Sequence, residues 1–560
     1  MEELFGHFFE KMSSQRDTEF KKTVNPQRKK IKNGLLYAVL FTLLIGAVLF
    51  YMWLPAINIF NQGFISFMIF ILLIFVLLYV VMVGDTKVVK PILGIVAIAI
   101  VYLMVGNLIS SPIFNADAYH KQIAMNKDAN FYEDHKSISY DSIPVVDRDS
   151  AMRLGDRKMG EIVEYVSQFE VNASYQQINY NSQPYRVTPL EYSGLIKWFT
   201  NHKNGLPAYI TVNMVNQDVE VVELEEGMKY SQSELFNRNI TRHARFNYPT
   251  LMFDEYSFEI NDDGIPYYIF PSYEYQIGIF GGRDITGAVL INAIDGSHEY
   301  FKVSDVPQWV DRVYPSSLIS QQLVNWGKFG GGFINSMLSQ KGVLQPTDGY
   351  NYIAMNGDVF YYTGLTSVSQ DASNVGFAMI NSRTKETKFY DISGAEEYSA
   401  MSSAEGQVQH LGYVATFPIL VNAGGEPTYF MSLKDSANLV KQYAFVSVEN
   451  YQIVATGDSV AQAEENYYKL LADNGKLDKD EVPTDTTSLT GKVTQLSSAV
   501  KDGNSTYYFK LDSSELLFIA DISVSNELPL LSVGENVEIE FIEDDDKEEV
   551  ISSIKKVNEE

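Results

Sequence analysis

The chain has 560 residues, a formal charge of −27 and no cysteine. Without cysteine there are no disulfides, no thiol nucleophile and no cysteine-ligated zinc. The acidity excludes nucleic acid as an expected partner, and the length implies three or four folding units.

In chain order, Leu4, Phe5, Phe8, Phe9 and Met12 repeat with helical spacing opposite Glu2, Glu3 and Glu10. That is the pattern of an interfacial or partner-docking helix. Residues 1–33 read as a cytoplasmic N-terminal segment, and residues 34–111 as three transmembrane helices. The uncharged apolar runs Gly34–Pro55, Gln62–Gly84 and Pro91–Ser110 carry the second reading. At 1.5 Å rise per residue, about 20 such residues span a hydrocarbon core of about 30 Å. Tyr51, Trp53 and Tyr79 lie toward run ends, where amphipathic rings prefer the interface. Lys21, Lys22, Arg28, Lys29, Lys30 and Lys32 precede the first run, and Lys87 and Lys90 sit in the second loop, whereas the first loop is uncharged. Basic segments stay in the cytoplasm. The expected location is therefore the plasma membrane, multi-pass, with the N-terminus cytoplasmic and the C-terminal mass extracytoplasmic. Residues 1–33 carry +3 and the loop 84–90 carries +1, which leaves −31 on the rest.

Residues 112–472 read as an extracytoplasmic α+β region. Asp147–Phe169 has the periodicity of an amphipathic helix with Met152, Met159, Ile162, Val163 and Val166 on its apolar stripe. Short Tyr/Val/Ile-rich strands follow, and Ser436–Gln442 and Ala461–Ala472 read as helices. A hexapeptide Gly-x-Pro-x-Tyr-[Ile/Phe] begins at Gly205, Gly264 and Gly425, with a degenerate copy at Gly357. It encodes a turn and then a strand with an aromatic face. Ile285–Asp305 also echoes Asn374–Gly394, matching Gly287 to Gly376, Ile291 to Ile380, Asn292 to Asn381 and Ser304 to Ser393. Both copies read as strand, turn, strand, with the turns at Asp295-Gly296 and Thr384-Lys385, so repeated β-rich units are expected.

Candidate chemistry is sparse. The seven histidines lack metal-ligand spacing, and neither a metal nor a cofactor is implied. Asn261–Gly264 reads as a hairpin turn, and the glycine-rich Gly327–Gly332 as a flexible loop. Arg238, Arg242, His243 and Arg245 form a basic cluster in an acidic region, a candidate anion site. Glu405 and His410 are the one acid/base pairing worth weighing. Residues 473–490 read as a polar linker. Residues 491–560 then read as five strands, Gly491–Ser498, Ser505–Leu511, Leu516–Ile522, Asn536–Ile542 and Val550–Val557.

The phrase Leu530-Leu-Ser-Val-Gly-Glu-Asn-Val-Glu-Ile resembles the turn into the fourth strand of an OB-fold barrel. With six lysines against sixteen acidic residues in 491–560, such a barrel is not expected to bind a polyanion. Asp263-Gly-Ile-Pro-Tyr-Tyr, Ile285-Thr-Gly-Ala-Val-Leu-Ile-Asn and Ile294-Asp-Gly-Ser-His-Glu-Tyr resemble the PepSY-type module. That resemblance implies a small α+β unit and a role in inhibiting or regulating peptidases. Asp147-Arg-Asp-Ser-Ala-Met-Arg-Leu-Gly-Asp-Arg-Lys and Glu397-Tyr-Ser-Ala-Met-Ser-Ser-Ala-Glu-Gly are similar to large uncharacterised membrane proteins of Gram-positive bacteria. The expected fold class is thus a three-helix anchor, an α+β region of repeated PepSY-like units and a C-terminal OB-like barrel. The expected role is a non-enzymatic scaffold or interaction protein of the bacterial envelope. A PepSY-type peptidase regulator and an envelope-acting hydrolase are the alternatives. Expected partners are membrane lipid and an envelope protein, with self-association left open.

Overall fold

The computed structural model describes residues 33–135, 143–355, 357–368, 370–477, 486–501, 504–525, 527–542 and 548–557. The N-terminal amphipathic pattern, the lysine-rich stretch before the first span and the acidic run Glu543–Asp546 lie outside the described residues.

The three apolar runs are helices α1 (Gly34–Trp53), α2 (Gln62–Val83) and α3 (Val89–Ile109), each long and apolar enough to cross a membrane. Asn61 caps α2 by accepting a bond from the Phe64 N–H at 2.8 Å. The Gln62 amide meets Asn107 Oδ1 at 3.1 Å, and the Tyr102 hydroxyl donates to Ile59 O at 3.2 Å. These contacts gather the end of α1, the start of α2 and the end of α3 at one end of the helix bundle, next to the large domain, and the loop before α3 lies at the bundle's other end.

Four α-then-meander units follow. Helix α4 (Pro112–His120) leads from the spans into the domain. The first unit opens with α5 (Arg148–Gly160), followed by a sheet built on Gln183–Tyr192 and Leu206–Asn213. The second opens with α6 (Ile240–Asn247), followed by a sheet on Pro266–Ile277 and Gly281–Asn292. The third has α7 (Ser316–Phe329) and a sheet on Asp358–Ser367 and Gln370–Asn381. The fourth has α8 (Glu397–Gln407) and a sheet on Glu426–Lys434 and Val440–Ser447, closed by α9 (Val460–Asp473).

Equivalent residues do equivalent work in these units. Asn213, Asn292 and Asn381 each end a long strand and turn their side-chain oxygen onto the amides of the following turn, at Val215, Ile294 and Arg383. Gly296 and Lys385 hold the same left-handed turn position, at φ 76° and 65°. At Gly287 an added Cβ would come within 2.3 Å of Phe301 O and 2.5 Å of the Tyr300 hydroxyl. At Gly376 it would meet the Phe389 ring at 2.4 Å. In both units an aromatic residue on the neighbouring strand covers a bare backbone, which is why glycine recurs there.

Alternation along the strands explains how the units stack. In the third sheet Val359, Tyr361, Ala378 and Ile380 face Leu318, Ile319 and Leu323 of α7. Phe360, Tyr362, Phe377 and Met379 point the other way, into the core shared with Ala400 and Ala404 of α8 and with Tyr429 and Phe430 of the fourth sheet. That sheet is buried on both faces, so its strands read as nearly continuous apolar runs.

Several expectations change. Asp147 does cap a helix, accepting from the Ser150 N–H at 2.9 Å, but α5 stops at Gly160. A four-residue helical turn at Val163–Val166 and a strand at Phe169–Val171 follow, and Val163 and Val166 are exposed rather than core. Ser436–Gln442 is not helical. The Asp435 carboxylate accepts from Ala437 N and Leu439 N at 2.9 and 3.0 Å, folding a tight turn before the strand at Val440. The Gly327–Gly332 run is not a loop throughout. Gly327 lies within α7, where a Cβ would come within 2.3 Å of Leu344 O, so glycine allows close packing there. The hexapeptides at Gly264, Gly357 and Gly425 open the equivalent long strand of their units, whereas the copy at Gly205 opens the next strand.

The C-terminal strands form a closed five-stranded barrel. Its first strand begins at Thr486, not Gly491, because Thr486–Lys492 pair with Asn536–Ile542. Phe509, Phe518, Val537, Ile539 and Ile551 fill the interior.

Candidate binding cleft

The basic cluster proposed from sequence sits where α6 meets the membrane-side end of α1. Arg245 is 8% exposed. Its Nε donates to Leu54 O at 3.0 Å, and its Nη1 donates to Leu251 O at 2.6 Å and Tyr248 O at 3.2 Å. Arg242 Nε donates to Tyr51 O at 3.4 Å, with the guanidinium 4.6 Å from the Tyr51 ring centre. Arg238 donates to His202 O at 2.6 Å, and His243 Nε2 meets Gly296 O at 2.8 Å. The cluster therefore engages main-chain carbonyls, and two of its members neutralise the negative end of the first span. Burial holds the Arg245 pKa down to about 10, still cationic at neutral pH.

Glu405 and His410 are apart in role. Glu405 accepts from the Ala415 N–H at 2.9 Å, and His410 is exposed at the surface.

A cleft of about 370 Å³ opens where the first, third and fourth units meet. Its walls are the start of α5 (Arg148, Asp149), the first sheet (Tyr175, Gln177, Arg186), Arg312 ahead of α7, Tyr350–Tyr352 of the third sheet, and Phe417 ahead of the fourth. A void of about 20 Å³, room for about one water, adjoins it, sharing Asp147, Arg186, Asn351 and Phe417. Junctions between packed units are common binding sites.

Arg186 dominates this cleft. It is 7% exposed, and its only protein bond among the described residues runs from Nε to Val146 O at 3.3 Å. Its two terminal nitrogens are left for a ligand or solvent. Burial lowers its pKa to about 10, and the Asp147 charge opposes that shift. Asp147 itself is taken by Lys434 Nζ at 2.5 Å. Arg312 is the second cation. It bonds Gln176 Oε1 and the Tyr352 hydroxyl, the latter at 2.8 Å, and lies 5.0 Å from the Tyr352 ring centre. Arg148 bonds Ala173 O at 2.9 Å at the rim. Among the described residues, the Tyr175 hydroxyl, Gln177 Oε1 and Arg312 Nε are buried without partners. Gly155 makes room for that hydroxyl, since a Cβ would lie 1.8 Å from it.

Behind Arg312 lies a buried acid pair. Glu259 accepts from Ser257 Oγ at 2.6 Å and from the Asp311 N–H at 2.8 Å, and Asp311 accepts from the Asn179 N–H at 2.6 Å. Burial pushes both carboxyls up, and at Asp311 the Glu259 charge adds to it.

The cleft thus brings together an aromatic wall, two guanidiniums, polar groups and the carboxylates of Asp147 and Asp149; a guanidinium is the group whose paired nitrogens match a planar anion such as a carboxylate. Sequence reading missed it because Arg186 and Arg312 stand alone in their segments. The available signal was Arg186 and Thr188 alternating with Tyr185 and Val187. No protein-family model matches the chain, and a comparison with curated proteins finds no match.

Proposed function

We propose that the chain is a membrane-anchored interaction protein of the bacterial cell envelope, with its large domain outside the cell and an anionic group of its partner held in the Arg186 cleft. The observation that carries this reading is a buried guanidinium whose two terminal nitrogens have no protein partner among the described residues of an otherwise acidic protein. Leaving such a charge unpaired is costly unless a ligand or water completes it. The lysine-rich stretches at residues 21–32 and 87–90 support a cytoplasmic side opposite the domain. The cations and aromatic surface of the cleft support a binding role.

The experiment is calorimetric titration of the full chain in nanodiscs with an acetylated tripeptide bearing a free C-terminal carboxylate. The same peptide amidated at that end is the control. Saturable binding of the acid form, absent for the amide and lost in Arg186→Met, is the expected outcome. Equal heats from both peptides refute it.

A second reading, regulation of an extracellular peptidase through PepSY-like units, draws support from the matched turns at Asp295-Gly296 and Thr384-Lys385. The barrel order, with the fifth strand between the third and fourth, supports an OB-like assignment for the C-terminal part.

A further inference from the structure

Two exposed apolar patches flank the membrane-side ends of the spans. The first gathers Val163, Ile196, Phe199 and Phe236, which are 78, 77, 62 and 65% exposed. They come from three separate segments: the turn after α5, the short helix Leu195–Asn201 and the segment before α6. Asn201 Nδ2 reaches Gln168 Oε1 at 3.2 Å, and the Trp198 and Phe236 rings lie 6.0 Å apart. Arg242 ties this patch to the first span, donating to Phe236 O and to Tyr51 O, each at 3.4 Å.

The second patch holds Phe114, Ile334, Met337 and Leu338, 67, 73, 59 and 81% exposed. Phe114 lies in the first turn of α4, just past the end of α3. The short helix Gly332–Met337 packs on α4. His120 at the end of α4 meets Trp326 O at 2.6 Å, and Gly330 lies against the His120 ring. The hairpin tip at Ile279-Phe280 is pinned to the same span end, both amides donating to Ser110 Oγ at 2.8 and 2.9 Å.

Exposed apolar groups of this size, grouped at two places, mark an interaction surface. We infer that both patches are seated in the interfacial region of the lipid bilayer, so that the large domain lies against the membrane rather than standing off it. Three observations select lipid as occupant. Each patch is tied to the end of a span, the first through Arg242 and the second through the chain running from α3 into α4, so both adjoin the apolar surface of the spans. Tyr51, a ring of the kind that marks the headgroup level, is joined to Phe236 of the first patch through Arg242. Residues 313–347 contain no Asp or Glu and two lysines, Lys328 and Lys341, although the chain after the spans carries −31. Carboxylates are missing from the stretch that carries Ile334, Met337 and Leu338, where anionic headgroups would repel them, and Asp117 near Phe114 is paired with Lys121; apolar side chains flanked by lysine suit such a surface.

The cysteine-free chain is a ready background for the test. Single spin labels at Ile196→Cys and Leu338→Cys are compared with Tyr451→Cys, an exposed aromatic position outside both patches. The full-length protein is reconstituted in nanodiscs containing phosphatidylglycerol. Collisions with oxygen, which concentrates in lipid, and with a water-soluble nickel chelate are measured. The inference expects an oxygen-to-nickel ratio severalfold higher at 196 and 338 than at 451. Ratios equal to that at 451 would mean that the patches face water. A fall in access to both reagents would mean a protein covers them. Either result overturns the inference, and wild-type-like unfolding of each variant ensures that the label reports on the native domain.

Discussion

The junction between the first span and the large domain should depend on Arg245 more than on any other member of its basic cluster. Arg245→Met removes bonds to Leu54 O, Leu251 O and Tyr248 O and leaves those carbonyls beside an apolar side chain. A hydrogen bond from a charged donor contributes about 1.5–3 kcal/mol, and relief from burying the charge offsets part of the sum. A net loss of about 3 kcal/mol is expected. Arg238→Met removes the single bond to His202 O and should cost about 1 kcal/mol. The assay is hydrogen exchange on the full chain in nanodiscs. Its local reporter is the Ile57 N–H, which donates to Pro249 O at 2.7 Å across the same junction. If local opening governs exchange, about 3 kcal/mol corresponds to roughly 100-fold faster exchange at Ile57. Exchange within about threefold of wild type, a threshold of well under 1 kcal/mol, would refute the reasoning. So would an equal effect from Arg238→Met.

Other outcomes follow from the same geometry. Asp311 has its folded pKa raised, first by burial and then by Glu259. Its favourable contribution is therefore complete below the unfolded carboxyl range and is lost as pH rises through the folded value. Asp311→Asn keeps an acceptor for the Asn179 N–H and should lessen the fall in unfolding free energy from urea titration between pH 5 and pH 8, by about 1–3 kcal/mol; parallel pH profiles would contradict this. Gly287→Ala must push a Cβ against Phe301 O and should cost about 1–3 kcal/mol. Gly160→Ala, with open space around it, should be near neutral or stabilising in the same unfolding experiment. Gly155→Ala should displace the Tyr175 ring and weaken tripeptide binding at the cleft while the barrel's unfolding is unchanged; unaltered affinity would separate that wall from recognition.

Some of this architecture was readable because its physics is local. A helix that crosses hydrocarbon must be long and nearly uncharged, so the three apolar helices were plain to within a few residues. The Asn292/Asn381 and Gly287/Gly376 matches were visible because a capped turn and an aromatic-covered strand each demand one residue type. The first unit was matched one strand late, at Gly205, because it opens its first long strand at Gln183-Pro184-Tyr185 without the glycine of the other copies. Asp435 folded a turn where composition suggested a helix, and Gly160 ended one where the apolar spacing continued. The basic cluster stood out because its members are adjacent in sequence, and the structure gives them carbonyl partners at the membrane-side end of α1. The cleft was illegible for the opposite reason. Asp147 and Arg186 belong to the first unit and Arg312 and Tyr352 to the third, and only stacking brings them to one wall.

Everything proposed about partners depends on the side of the membrane on which the four units and the barrel lie. In intact cells, a membrane-impermeant maleimide should label Ser513→Cys in the barrel at once and Thr86→Cys in the loop between the second and third spans only after permeabilisation. Immediate labelling at 86 with protection at 513 would place the domain in the cytoplasm and contradict the account.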